Sequence, residues 1–371
     1  MTILAIDTSC DDTAAAVTRD NRILSNVIWS QAALHAKWGG VVPSLAKRAH
    51  QDRLPWVVSR ALRLARANLP NSANLFTRHS FGVGGPNSPN LIAAIAVTVG
   101  PGLAPALEAG IHYAKQLALL HEIPLIPVNH LEGHVISSLA RPNLPNSPNL
   151  PNSLALIVSG GHTQLVLSFP SHRILADTLD DALGEALDKA ARMLGLGYPG
   201  GAVLEKFAKQ GNPQKYKLPL PLLGRENQGA FSFSGLKTAF YRLVEGKELT
   251  KQEICDLAAC FQSTALDHLI RVVSKTISHF NHSSHSNNFD FSDLLIGGGV
   301  AANIELRKRL RKLGKQFDLK VHFPYSKKLC TDNAAMIGLA AQWAFARGEA
   351  AKTQAEINLI DRQPNLTFPS L

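Results

Sequence analysis

Two histidines four residues apart, in His130-Leu131-Glu132-Gly133-His134, are the residues of this chain best placed for metal chemistry. On a helix that spacing stacks both imidazoles on one face, within reach of a single divalent ion. Ordinary surface helices carry the same spacing, so the pair alone leaves both readings open. A zinc-protease motif needs a glutamate directly after the first histidine, to act as general base. Leu131 stands there instead, and Glu132 projects from a different side of the helix. The pair therefore reads as a metal site without the protease base. Asp332, in Cys330-Thr331-Asp332-Asn333, is an isolated carboxylate that would close a His-His-Asp set. It also has the look of an N-cap at the entry to the final long helix.

Three turns have the composition of an anion cradle. Asp7-Thr8-Ser9-Cys10-Asp11-Asp12-Thr13 and Ser159-Gly160-Gly161-His162-Thr163 each join two apolar strands. Gly297-Gly298-Gly299-Val300-Ala301-Ala302-Asn303 follows a strand and opens a helix, whose first N–H groups are unpaired. Glycines let backbone amides approach a phosphate, and hydroxyls add donors. A glycine turn by itself is often only a turn; three in one chain, in this order, point to a nucleotide. The carboxylates of Asp7, Asp11 and Asp12 would repel one another if buried together without a cation. They are either a solvated turn or groups that orient a metal, a water or an amine nucleophile.

Around these motifs β and α signals alternate. Strands read at 2–6, 14–18, 92–99, 154–158, 163–168 and 293–296, and helices near 43–64, 104–120, 178–194, 251–277, 304–317 and 331–347. The strand–turn–strand pattern of 3–18 recurs at 156–167. That duplication predicts an α/β chain of two related lobes facing one another across a cleft. At 371 residues two lobes are the default, and 45% hydrophobic with 18% charged residues is ample for buried sheets. The expected boundaries are a first lobe at 1–140, a second at 154–330, and a C-terminal helix and tail, 331–371, returning to the first. Pro/Asn-rich stretches at 68–90 and 141–153, and an Asn/His/Ser-rich one at 281–288, read as loop insertions.

Thr178-Leu179-Asp180-Asp181 resembles a capping box. On the helix after it, Glu185, Asp188, Lys189 and Arg192 share a polar face that suits two ion pairs in solvent. The helix at 304–317 sets Leu306, Leu310, Leu313 and Phe317 on one side and six Lys/Arg around the rest. It is either a solvated surface or a nucleic-acid contact. A net charge of +10 calls for an anionic partner, which charge alone does not identify. The four cysteines, Cys10, Cys255, Cys260 and Cys330, form no C-x-x-C pair, which suits a reducing cytosol. Met1-Thr2 runs straight into an apolar strand, so a secretory leader is not expected, and the longest apolar run, 91–99, is too short to span a bilayer. The expected compartment is the cytoplasm.

Assembled, these motifs resemble the universal tRNA threonylcarbamoyladenosine transferase family, bacterial type. The match rests on ILAIDTSCDDTAAAV (3–17), HAKWGGVVPSLAKRAH (35–50), VGPGLAPAL (99–107), NHLEGH (129–134), VSGGHTQLV (158–166), GEALDKAARMLGLGYPGG (184–201), FSFSGLKTA (231–239), GGGVAAN (297–303) and CTDNAAMIG (330–338). The resemblance implies two ribonuclease-H-like lobes of the actin/Hsp70/sugar-kinase (ASKHA) type around a nucleotide cleft. It implies His130, His134 and Asp332 as ligands of one divalent metal, Fe2+ or else Zn2+. Substrate positions map to Val158, Ser159, Gly160, Gly161, His162, Asp188, Gly201 and Asn303, with the Asp188 carboxylate accepting from a ribose-like hydroxyl pair. The implied reaction moves threonylcarbamoyl from threonylcarbamoyl-AMP to N6 of the adenosine at tRNA position 37, in tRNAs reading codons that begin with A. From their place in the first turn alone, Asp11 or Asp12 would take the amine proton.

The implied partners are tRNA, an inactive paralogue subunit of the TsaB type and a P-loop ATPase of the TsaE type, with no membrane. Asp7 and Asp12 stand where the family usually carries glutamate, which shortens their reach by one methylene. Two competing readings are a metalloprotease, opposed by Leu131, and a nucleotide-binding module or sugar kinase of the same fold, which has no use for a His-His-Asp site.

Overall fold

The computed structural model describes residues 1–68, 92–140, 153–168, 173–225, 228–283 and 291–368. The expected insertions at 68–90, 141–153 and 281–288 fall almost wholly outside these residues. The chain forms two compact units, Met1–Asn149 with Pro324–Pro369, and Leu150–Phe323.

The first unit begins with β1 (Thr2–Asp7), β2 (Asp12–Arg19) and β3 (Arg22–Ser30), followed by α1 (Ala32–His35), α2 (Pro43–Ala67), β4 (Ile92–Gly100), α3 (Ala104–His121), β5 (Leu125–Asn129) and α4 (His130–Ser137). Its sheet runs β3-β2-β1-β4-β5, with β1 antiparallel to β2 and parallel to β4. All six β1 residues are buried, because helices cover both faces and the strand needs no polar side. Leu54, Val57 and Ala61 of α2 and Leu107 and Ile111 of α3 share one core with Leu4, Ile6, Val17 and Val97.

The second unit continues with β6 (Ser153–Val158), β7 (Thr163–Ser168), β8 (Arg173–Thr178), α5 (Leu183–Met193), α6 (Gly201–Ala208), β9 (Ala230–Phe231), α7 (Ser234–Val244), α8 (Lys251–Ser283), β10 (Asp293–Gly297), α9 (Ile304–Gln316) and β11 (Lys320–His322). Helix α8 runs three residues into the stretch expected as a loop. The sheet order is β11-β10-β6-β7-β8-β9. From β8 to β11 this repeats the first sheet: three antiparallel strands, then two parallel ones. The duplicated hairpins of the sequence thus head two sheets of one topology.

The chain then returns to the first unit with α10 (Ala334–Ala346) and α11 (Gln354–Leu359). Nine of the thirteen α10 residues are buried, so the helix is apolar nearly all round. It lies on β1 and β2 at Gly338, where an added Cβ would meet the Thr18 side chain at 2.7 Å and the Ala5 Cβ at 3.2 Å. Among the described residues no helix is long and apolar enough to cross a membrane.

Candidate functional site

In the first unit, α4 carries the two histidines. Asn129 caps it, its side-chain oxygen accepting from Leu131 N at 2.8 Å and Glu132 N at 3.3 Å. The imidazoles of His130 and His134 sit edge to face, ring centres 4.7 Å apart, both buried. Gly133 lets α4 press on α10, since a Cβ there would reach Met336 and Ile337 at 3.1 Å. At the head of α10 the cap is Asn333, accepting from Met336 N at 3.1 Å. The expectation that Asp332 caps this helix is thereby corrected. With Asn333 in that role, the Asp332 carboxylate turns to the histidines, 3.4 Å from His130 Nε2 and 3.2 Å from His134 Nε2. One ligand atom from each of His130, His134 and Asp332 lies within 4.8 Å of the others.

The donors fit a cation. Both ring nitrogens of the buried His134 lack a hydrogen-bond partner, although Asp332 is close, and so does His130 Nδ1. Of these, His134 Nε2 faces the Asp332 carboxylate at 3.2 Å without hydrogen-bond geometry, and a shared ion would satisfy it. The electrostatics agree. Burial works against charge on His130, yet Asp332 and Asp7 hold its imidazolium up to about 10. Burial and the neighbouring His130 push His134 down. Asp332, despite its own burial, is held well below the carboxylate range by the two histidines. Glu132 takes no part: its carboxylate forms a two-pronged pair with Arg347 at 2.7 and 3.1 Å, fastening α4 to the end of α10.

The β1–β2 turn belongs to the same neighbourhood. Asp7 is fully buried; its Oδ1 accepts from Thr98 at 2.7 Å and lies 3.7 Å from His130 Nδ1, and its Oδ2 has no partner. Asp12, at the start of β2, is pushed up to about 7 by burial, reinforced by the charges of Asp332, Asp11 and Asp7. Its Oδ1 is buried without a partner. Asp11 is half-buried, and its carbonyl accepts from Gln31 N at 2.9 Å.

A buried polar chain holds this turn from below. His50 Nε2 meets the Cys10 carbonyl at 3.0 Å, and since a carbonyl only accepts, that nitrogen carries the proton. His50 Nδ1 then accepts from Thr13 Oγ1 at 2.8 Å and from Gln31 Nε2 at 3.2 Å. Gln31 Oε1 in turn accepts from His35 Nε2 at 3.0 Å, and His35 Nδ1 accepts from Val42 N at 3.3 Å. Burial pushes His50 down, consistent with this neutral tautomer. Gln31 and His35 are four residues apart, but no spacing rule links either to residue 50, and sequence reading assigned the three no role.

In the second unit the β6–β7 turn closes on itself: Ser159 N donates to the His162 carbonyl at 2.8 Å, and Ser159 Oγ accepts from Gly161 N and His162 N. Among the described residues the Gly160 amide has no acceptor, and a Cβ at Gly160 or Gly161 would meet nothing within 4 Å. Gly298, with φ +93°, lies against this turn, where a Cβ would strike the Val158 carbonyl oxygen at 2.4 Å. Gly184 is pressed as closely on the Ser159 carbonyl. Two of the three predicted turns, and Val158 to His162, are thus brought together within this unit.

Asp188 Oδ1 accepts from Gly200 N at 2.9 Å and Gly201 N at 2.6 Å, anchoring the start of α6. On α5 the expected Lys189–Glu185 pair forms at 2.7 Å, and Lys189 also reaches Asp181 at 2.8 Å. Asn303 caps α9, accepting from Leu306 N at 2.9 Å and donating to Gln262 Oε1 at 2.9 Å. The expected capping box at 178–181 does not form. Thr178 ends β8, α5 starts at Leu183, and Asp180 instead accepts from Ser232, Phe233 and Ser234 at the head of α7.

Comparison with known proteins adds an independent finding. The family profile described as TsaD: tRNA N6-adenosine threonylcarbamoyltransferase matches residues 22–72 and 87–339. The proteins named tRNA N6-adenosine threonylcarbamoyltransferase from Thermosynechococcus vestitus and Moorella thermoacetica are each 44% identical over 94% of this chain, covering 91% and 93% of their own lengths. Among solved structures, full-length HypF in its phosphate- and nucleotide-bound form superposes with TM-score 0.53 at 12% identity, over 93% of this chain and 46% of that one. HypF from T. kodakarensis also gives 0.53, at 14% identity, over 96% of this chain and 50% of that one. At such identities the likeness speaks to fold alone, the two-lobed ASKHA type.

Proposed function

The chain belongs to the tRNA N6-adenosine threonylcarbamoyltransferase family, and from that premise we propose that it moves threonylcarbamoyl from threonylcarbamoyl-AMP to N6 of the adenosine beside the anticodon of tRNA. The N6 lone pair attacks the carbonyl carbon of the mixed anhydride, the bond from that carbon to the phosphate oxygen breaks, and AMP leaves with the electron pair. The proton lost from N6 goes to a carboxylate of the β1–β2 turn. Asp12 is the better placed acceptor: burial holds it near 7, and its Oδ1 has no other partner. Asp11 is the alternative acceptor on the same turn.

The observation that carries the metal-assisted form of this reading is the convergence of His130, His134 and Asp332, with the buried His134 Nε2 left unpartnered beside the carboxylate. Two imidazoles and one carboxylate suit ferrous iron, with zinc the other candidate. A bound ion would supply Lewis-acid polarisation of a carbonyl or phosphate oxygen. The second unit supplies the nucleotide contacts: Gly160 N and the open turn around it for the phosphate, the Asp188 carboxylate for a ribose-like hydroxyl pair, and Gly201 and Asn303 as further substrate positions. The inactive paralogue and P-loop ATPase follow from family membership alone. A cytoplasmic setting accords with four free cysteines.

The test is threonylcarbamoyl incorporation into unmodified tRNA, with threonylcarbamoyl-AMP and the partner proteins supplied. Transfer by the wild type and its loss in Asp332→Ala are expected. Silence of the wild type where a relative works under the same conditions would overturn the transferase reading.

A further inference from the structure

We propose that the outer face of α9 is a docking track for the phosphate backbone of tRNA, an inference that rests on the transferase reading above. Lys308, Arg311, Lys312 and Lys315 are all exposed and recur at i, i+3, i+4 and i+7, so they share one face within an arc of about 100°. The buried face, Leu306, Leu310 and Leu313, lies opposite. The only acid of α9, Glu305, sits in its first turn and engages Arg309, which is also tied to Asp267 and Ser263. Arg309 is therefore neutralised internally. Of the outward four, only Lys308 comes near a carboxylate, Glu305 at 3.8 Å. Among the described residues Arg311, Lys312 and Lys315 form no ion pair.

Two features make this more than a solvated helix face. Phe323 lies beneath both Arg307 and Arg311, whose guanidinium carbons are 4.9 and 5.2 Å from its ring centre. Stacking fixes the arginines and lowers the ordering cost of a phosphate contact. The helix also starts at Asn303, one of the substrate positions proposed above, so the track leads away from that residue along the helix axis. Closely spaced cations, three of the four without an ion-pair partner among the described residues, running from the substrate position, complement a polyanionic substrate.

The experiment compares wild type with Lys308→Ala/Arg311→Ala/Lys312→Ala/Lys315→Ala. Alanine keeps the helix, and the four positions face solvent. Lys247→Glu/Lys251→Glu, on exposed residues elsewhere in the same unit, removes an equal four charges as the control. Affinity for an unmodified tRNA transcript is measured against salt, and transfer kinetics against tRNA and against threonylcarbamoyl-AMP. The quadruple variant should lose about 3 from the slope of log affinity on log salt, four phosphate contacts' worth. Its KM for tRNA should rise at least about tenfold while KM for threonylcarbamoyl-AMP stays fixed; the control should keep the wild-type slope. An unchanged slope in the quadruple variant, or an equal loss in the control, overturns the track. So does unaltered tRNA binding with activity lost only when partner proteins are present, which would make the face a protein interface. Failure of the wild type to bind or modify tRNA would instead defeat the transferase reading itself.

Discussion

The two hairpins that head the two sheets share a topology and differ in almost everything else. The β1–β2 turn is a concentration of carboxylates: Asp7 is buried beside His130, Asp12 is half-buried with its Oδ1 enclosed, and the His35–Gln31–His50 chain fixes the backbone beneath. The β6–β7 turn is small, uncharged and open, with free space where Gly160 and Gly161 would carry side chains. One frame therefore serves two chemistries. Enclosed carboxylates and imidazoles suit a cation and a proton acceptor, and open glycine backbone suits a phosphate. The difference lies in the turn residues, because the strands beneath are buried apolar runs in both units.

The sharpest way to break this contrast is to remove the cation site. Asp332→Ala should abolish stoichiometric iron or zinc binding, read by elemental analysis, and lower transfer on the order of 10³-fold, the several kcal/mol a Lewis acid contributes. Variants in the β6–β7 turn should keep their metal. A metal-replete Asp332→Ala protein would dissolve the division of labour between the turns.

A smaller effect is expected at Asp12. Asp12→Asn should cost about 10²-fold in turnover and erase the rise of rate with pH. In the wild type that limb is centred at about 7 or, with a bound cation nearby, lower. Stability gives an independent readout in the metal-free protein. The folded carboxyl titrates near 7 against 3.8 for a free one. Between those values the folded state holds the extra proton, so stability falls as pH rises through the window, and Asp12→Asn removes that slope. Denaturant titrations at pH 5 and 8 decide it. If Asp12→Asn and Asp11→Asn both turn over normally, neither carboxylate takes the proton.

On the glycine side, Gly298→Ala forces a Cβ onto the Val158 carbonyl at a φ of +93°. It should destabilise by about 2–3 kcal/mol and weaken nucleotide affinity about tenfold, measured by calorimetry with AMP, without altering metal content. Gly160→Ala, in open space, should leave stability within about 0.5 kcal/mol and still reduce AMP binding. Full AMP affinity in Gly160→Ala would remove the phosphate from this turn.

What could be read in advance follows from the range of each interaction. The hairpins and the His130/His134 pair were legible because short apolar runs broken by polar turns and i,i+4 spacing are local signals. Asp332 stood out as a third ligand, yet its role was confounded with that of Asn333. Both residue types cap helices, and only the backbone decides which one does. The stretch Thr178-Leu179-Asp180-Asp181 misled for the opposite reason: it looks like a capping box for the helix that follows it, whereas Asp180 accepts from backbone N–H groups at the head of the distant helix beginning at Ser234. The support of the first turn by Gln31, His35 and His50 joins side chains across a sheet edge and two helices, where no periodicity points.

The smallest effect tests the negative half of the contrast. Glu132 lies between the two histidines in sequence, yet its carboxylate pairs with Arg347 at 2.7 and 3.1 Å, away from the ligands. If the first unit were a protease centre, Glu132 would be its base, and Glu132→Gln would abolish activity while leaving stability alone. As a fastening between α4 and α10 it predicts the reverse. Arg347 is a quarter exposed and keeps Glu349 as a second partner. Loss of the charge should therefore cost only about 1–2 kcal/mol, less than a wholly buried pair. Metal content and kcat should be unchanged at temperatures where the variant is folded. A Glu132→Gln protein of wild-type melting temperature but without turnover would place this carboxylate in the chemistry and reopen the comparison of the two turns.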